Sequence, residues 1–197
     1  MAQVVMGLRP DVVIDLFHHG DCLKAEKDFD RKLSEAGMVQ ATRLSKLIGG
    51  YDVVLTSGAP RTKETAVLAA NGGALHFGQG RELYGPINDA DFDALEKMTG
   101  TLVEKGLDPY LYRLYLDLDT GGVFDRFKTE AVSTILGKPG IFSAGKIAIF
   151  SHAILSNAIA EALFPQHREV LLELKLGPCE GIRVSATTCE HIQPLVA

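Results

Sequence analysis

Hydrophobic and polar positions along this chain alternate between two periods. Short β-branched apolar runs are separated by longer stretches in which apolar residues recur at helical spacing, the pattern of an α/β protein built on a mostly parallel sheet. Residues 11–18, Asp-Val-Val-Ile-Asp-Leu-Phe-His, form a compact run that suits a central strand buried on both faces. Residues 33–48 predict a helix with Val39, Ala41, Leu44, Leu47 and Ile48 as its apolar stripe, ended by Gly49-Gly50. A strand follows over 51–56. The next helix is expected to begin near Pro60, which a first helical turn tolerates, and to run through Ala70 to Asn71-Gly72-Gly73. Residues 74–77 read as a short edge strand.

Beyond this point the pattern loosens. Residues 85–140 contain amphipathic helical pieces around 91–98 and 110–118, broken by Gly121-Gly122, and read as a helical insertion that covers or borders a crevice. The sheet resumes with the run 146–151, a helix is expected over 154–164, and strands over 170–174 and 181–185 complete it, the last near a sheet edge. The expected architecture is a three-layer α/β sandwich, helices on both faces of the sheet, in a single domain spanning 1–197. With 197 residues, 46% of them hydrophobic, the chain can bury one sizeable core.

Charge and cysteine content narrow the partners. A formal net charge of -5 provides no electrostatic footprint for nucleic acid or an anionic membrane, so the expected ligand is a small molecule or a local phospho-group such as a phosphoprotein carries. Cys22, Cys179 and Cys189 form neither a C-x-x-C motif nor a disulfide framework and fit a reduced compartment. Residues 1–13 lack the features of a secretory leader and no apolar run approaches a membrane span, so a cytoplasmic protein is expected. An exposed Leu111, Leu114, Leu116 and Leu118 group would support a homo-oligomer; buried, it is core or lid packing.

The candidate chemistry sits at strand ends. Phe17-His18-His19-Gly20-Asp21, Ser57-Gly58-Ala59-Pro60-Arg61 and Ser151-His152 each follow a predicted strand, and in a parallel α/β sheet such segments converge on one crevice. Two histidines and an arginine would then surround one ligand. Arg61 falls at a helix N-terminus, where backbone N–H groups and the helix dipole favour an anion and a guanidinium adds a forked donor. That combination points to phosphate. A metal site is disfavoured, because adjacent histidines on a strand point to opposite faces and no i, i+4 histidine pair is present.

The segment Asp30-Arg31-Lys32-Leu33-Ser34-Glu35-Ala36-Gly37-Met38-Val39-Gln40-Ala41 resembles the Asp-Arg-x-Leu-Thr-x-x-Gly-x-x-Gln-Ala segment of histidine phosphatases. Ser57-Gly-Ala-Pro-Arg61-Thr-Lys-Glu-Thr65-Ala66 is likewise similar to their Ser-Pro-x-x-Arg-Ala-x-x-Thr-Ala segment, and His18-His19-Gly20 and Ser151-His152 agree in order. The resemblance implies a phosphoglycerate mutase-like fold and a cofactor-free, metal-independent phosphohistidine mechanism. His19 would be the nucleophile. Arg61 and His152, the latter best suited in its protonated form, would hold the phosphate oxygens, with His18, Gly20 and Ser57 as further phosphate-binding positions. Mutases that resemble this family carry extended substrate-binding segments that have no match between Gly20 and Arg31.

Two positions depart from the family pattern. Its members usually carry Arg immediately before the nucleophilic histidine, where this chain has His18, a residue with fewer donors and a charge only below its pKa. Arg9, Arg31 and Arg81 are the candidates to compensate. Family members also commonly place a Glu shortly after a Leu beyond the second strand; that position reads Gly85, and Glu82, just before Leu83, is the expected general acid, with Asp89 or Asp91 as substitutes. By strand alternation His18 is expected to face away from His19 if the strand persists.

Overall fold

The computed structural model describes residues 7–194 and contains one six-stranded sheet ordered β3-β2-β4-β1-β5-β6. Residues 1–6, and with them the start of the stretch read for a leader, lie outside the described residues. The strands are β1 (Val13–His18), β2 (Val53–Thr56), β3 (Ala74–Phe77), β4 (Lys146–Ser151), β5 (Gly181–Val184) and β6 (Cys189–Ile192). β1, β4, β2 and β3 run parallel, β5 lies antiparallel beside β1, and β6 lies antiparallel beside β5. Helices α1 (Glu35–Leu44), α2 (Pro60–Ala69), α3 (Asp89–Glu104), α4 (Tyr112–Leu118), α5 (Val123–Leu136), α6 (Ala153–Leu163) and α7 (Arg168–Glu173) cover the sheet.

Strand alternation builds the three layers. Ile14 and Leu16 of β1, Val53 and Leu55 of β2, and Ile147 and Ile149 of β4 pack in one core cluster with residues of α3 to α7. The neighbours between them, Phe17, Val54, Ala148 and Phe150, enter a second cluster with Ala41, Leu44, Ala66 and Ala69 from α1 and α2. Apart from Asp15 of β1, the middle of the central strands is therefore apolar and buried on both faces, as a parallel sheet with helices on each side requires.

Several expected elements differ. Residues 170–174 were expected as a strand; they lie in and just after α7, where only Leu171 of the helix is buried and Asn157 Nδ2 donates to the Leu171 and Leu174 carbonyls at 2.7 and 2.8 Å. A run with apolar residues at nearly every position satisfies either period, and packing against α6 decides it. β6, absent from the sequence reading, continues from β5 as a hairpin and takes the edge position expected for residues 181–185. α1 is shorter than residues 33–48 and buries the face of Gly37, Ala41 and Leu44, so Val39 on its outer side is 50% exposed and Leu47 beyond its end is 43% exposed, while Ile48 is buried. Among the described residues no helix is long and apolar enough to cross a membrane.

Candidate active site

The register of β1 against β4 pairs His18 with Ser151, and that of β2 against β4 pairs Thr56 with Phe150, so the C-terminal ends of three parallel strands finish nearly level. From those ends His19, Arg61 and His152 project into one cavity of about 580 Å³. The strand stops at His18, so alternation no longer governs His19. Contrary to the expectation of opposite faces, the two rings lie 4.3 Å apart between centroids in an edge-to-face contact, and both line the cavity.

Hydrogen-bond partners orient each imidazole. His19 Nδ1 lies 2.7 Å from the Gly20 carbonyl oxygen and its Nε2 lies 2.9 Å from Arg61 Nε. A carbonyl only accepts and a guanidinium only donates, so both contacts are satisfied by a neutral ring with its proton on Nδ1 and its lone pair on Nε2. Burial, followed by the neighbouring His18 and Arg61, holds the His19 pKa well below the ordinary histidine value. His18 donates Nδ1–H to the Leu176 carbonyl at 3.2 Å, and burial pushes its pKa down to about 4.

His152 sits at the N-cap of α6 with its ring 5.1 Å from that of His19. Its Nε2 is 3.1 Å from Ser57 Oγ, and Arg61 Nη2 approaches Nδ1 at 3.5 Å. Burial first, then His19, Arg61 and His18, push its pKa well below the usual range. The protonated form expected from sequence is thus disfavoured, because one guanidinium and two other imidazoles already crowd a desolvated ring.

Arg61, the second residue of α2, is nearly fully buried, and all of its reach is used. Besides His19 it donates Nη1 to the Asp28 carbonyl at 2.5 Å and Nη2 to Asp28 Oδ2 at 2.7 Å. Thr65 Oγ1, which donates to the Arg61 carbonyl at 2.7 Å, also accepts the Gly20 N–H at 3.1 Å and so ties the histidine loop to α2. Ser57 does not line the cavity; it sits behind His152, its Oγ also 2.8 Å from Thr62 Oγ1.

The acid expected at Glu82 is placed elsewhere. Its carboxylate accepts from Lys138 Nζ at 3.1 Å and from the Gln79 N–H at 3.2 Å, and it is not among the cavity-lining residues. Asp89 pairs with Arg81 at 2.8 Å and Asp91 with Arg126 at 2.5 Å, both outside the cavity. Arg9 is likewise engaged by Asp11 at 2.6 Å. Of the three compensating arginines weighed from sequence, Arg31 alone lines the cavity.

Asp28, Tyr84 and Glu96 line it as well, and sequence reading does not single them out. Asp28 lies in a single 3-10 turn within the stretch between Gly20 and Arg31 that matches no motif, so only its proximity to Asp30-Arg31 marks it. Tyr84 follows Leu83 in the segment searched for a glutamate, and its ring meets those of His152 and Phe29 at 4.8 and 5.0 Å. The outer wall is apolar and aromatic, with Phe92, Leu95, Tyr110, Tyr115 and Ile154. Among the described residues no group of three or more His, Cys, Asp or Glu side chains is arranged to hold a metal ion.

No family model and no curated protein matches the sequence. Solved structures do match the fold. A candidate phosphohistidine phosphatase SixA from Agrobacterium tumefaciens aligns over 95% of this chain and 99% of its own at 17% identity, TM-score 0.57. A phosphoglycerate mutase from Bacillus anthracis aligns over 93% and 92% at 19% identity, TM-score 0.52. A phosphoserine phosphatase from Entamoeba histolytica, solved with 3-phosphoglyceric acid, aligns over 87% and 89% at 16% identity, TM-score 0.54. The architecture is therefore the α/β sandwich of the phosphoglycerate mutase-like proteins. It is the fold on which histidine phosphatases are built.

Proposed function

We propose that this chain is a histidine phosphatase that hydrolyses a phosphate monoester or phosphoramidate through phospho-His19. One observation carries the reading: the Gly20 carbonyl holds the His19 Nδ1 proton and leaves the Nε2 lone pair facing Arg61 and the cavity. That is the protonation state an in-line attack on phosphorus needs, with no proton to remove first.

Arg61 engages the Nε2 lone pair and the acceptors of Asp28. A bound phosphate would redirect those donors to its own oxygens, releasing Nε2 to attack phosphorus from the face opposite the leaving group. The P–N bond forms as the bond to the leaving group breaks, and the departing oxygen or nitrogen takes its proton from water. A water molecule then attacks the phosphohistidine, the P–N bond breaks, and inorganic phosphate leaves with Nε2 again unprotonated. His152, whose pKa burial holds well below the usual range, gains a reason to take up a proton when a dianion binds beside it. Ser57, itself held by Thr62, keeps the His152 ring in place throughout.

The test is hydrolysis of an aryl phosphate across pH 5 to 8 in excess chelator, with trapping of the phosphoenzyme. Turnover is expected to survive chelation, to produce an acid-labile, base-stable phosphoprotein, and to vanish in His19→Ala. Turnover retained by His19→Ala, or lost only on chelation, overturns the mechanism. A second reading, a phospho-ligand-binding module without turnover, draws on His18: a neutral histidine with Nδ1 committed to Leu176 stands where the resembled family has a permanent charge. Saturable phosphate binding with no phosphoenzyme on any aryl phosphate or phosphoramidate is the outcome that reading requires.

A further inference from the structure

Building on the phosphatase reading, we propose that Arg31 and the Tyr84 hydroxyl complete a phosphate clamp with Arg61, and that the Asp28 carboxylate is a resident occupant which substrate phosphate displaces. The carboxylate is already treated as a bound anion. Its Oδ2 accepts from Arg61 Nη2 at 2.7 Å and from the Tyr84 hydroxyl at 2.9 Å, and its Oδ1 accepts from Arg31 Nη1 at 3.0 Å. Two guanidinium groups and a phenol thus converge on one small anion, and phosphate makes the same demand with more oxygens.

Burial distinguishes the fixed part from the movable one. The Arg61 side chain is 4% exposed whereas that of Asp28 is 51% exposed. Arg61 is fixed by its contacts to His19 and the Asp28 carbonyl, and without an anionic partner its buried charge would be uncompensated. Asp28, on a one-turn loop whose first residue has no side-chain cap, can rotate into solvent as a ligand takes its place. Burial, the largest influence on Asp28, raises its pKa, but Arg31, Arg61 and Tyr84 together outweigh it and hold the carboxyl below its ordinary value, so it is an anion at neutral pH.

Arg31 also answers the departure at position 18. Its Nε donates to the Leu23 carbonyl at 3.0 Å, which leaves Nη1 to donate to Asp28 Oδ1. A second permanent charge therefore reaches the cavity from the loop instead of from the residue before His19.

The experiment is calorimetric titration with inorganic phosphate at pH 7.5, with thermal melts in phosphate-free buffer for every variant. Asp28→Asn, nearly isosteric, removes the competing charge and is expected to bind phosphate on the order of tenfold more tightly; Arg31→Ala is expected to bind on the order of tenfold more weakly, the scale of one charge-assisted hydrogen bond. Tyr84→Phe is expected to lose several-fold. If Arg31→Ala melts early, Arg31→Lys, which keeps the charge but not the fork, provides the same comparison with a smaller loss. Unchanged or weaker binding by Asp28→Asn would mean that Asp28 only orients Arg61, and unchanged binding by the Arg31 variants would remove it from the clamp; either overturns the proposal. Because the readout is affinity, the two readings separate. The ranking above without a phosphoenzyme keeps the clamp and sinks the phosphatase; turnover through His19 with affinities indifferent to residues 28 and 31 does the reverse.

Discussion

His18 and His19 are adjacent in sequence, and their different surroundings commit the same atom, Nδ1, to different carbonyls: Gly20 for His19 and Leu176 for His18. The distinction has a consequence for stability. The folded-state pKa of His18 is about 4, below the ordinary 6.5, so below pH 6.5 the unfolded chain binds protons that the folded chain refuses. Stability from this group is complete above pH 6.5 and is lost as pH falls toward 4, by on the order of 3 kcal/mol across the window. His19 and His152 shift in the same direction. His18→Asn, whose amide can still donate to Leu176, is expected to flatten the fall in Tm between pH 6.5 and pH 4, with a smaller melting difference from the native chain at pH 4 than at pH 7. Identical slopes would mean that His18 is protonated in the folded protein. At this scale the sequence marked His19, Arg61 and His152 as neighbours around one crevice, because each closes a legible strand or opens a legible helix. It did not contain Asp28 or Tyr84 as site residues, because their meeting is set by a loop and a turn that carry no periodicity.

Among the elements, the contact between the His19 loop and α1 decides where the imidazole stands. A Cβ on Gly37 would lie 2.0 Å from the Asp21 carbonyl oxygen, and one on Gly20 would lie 2.7 Å from the Gly37 carbonyl oxygen. Two backbones touch there because neither residue has a side chain, and the Ser34 side chain caps the helix on Gly37 N–H at 3.1 Å. Gly37→Ala gains about 1 kcal/mol of helix propensity, yet the overlap forces the loop away and is expected to cost about 2 kcal/mol or more. The net fall in Tm is expected to be about 2–4 °C per kcal/mol for a domain of this size, with weakened phosphate affinity as the loop shifts. A melt and a phosphate titration check both; an unchanged Tm would contradict the close docking. The motif containing Gly37 was visible in sequence, but its purpose was not, since a close approach has no signature in one strand of text. Conversely α2 was legible from Pro60 to its end, because a proline at the first helical position and a glycine pair beyond the stop are local signals.

Across the whole molecule, the antiparallel strand β5 is held to the central strand by a buried charge. Asp15 of β1 is fully buried, accepts from Arg183 Nε and Nη2 of β5, each at 2.8 Å, and accepts the Tyr51 hydroxyl at 2.8 Å. Removing Arg183 would leave the carboxylate with the phenol alone, so Arg183→Met is expected to cost about 3 kcal/mol and on the order of 10 °C in Tm. Adding Asp15→Asn is expected to recover much of the loss, and a double variant no better than the single one would mean that the effect lies in packing. The same scale separates what the sequence determined from what tertiary structure decided. Patterning alone determined the β-branched central strands, the helices that follow them, the three-layer class and the strand ends that bear His19, Arg61 and His152, because periodicity and capping are local properties of the chain. Only the tertiary structure decided that residues 170–174 join a helix and its exit, that β6 covers the edge, that Glu82 turns to Lys138, and that Asp28, Arg31 and Tyr84 meet at Arg61. Each of those outcomes is a competition between partners distant in sequence, settled by burial and charge pairing that no local period records.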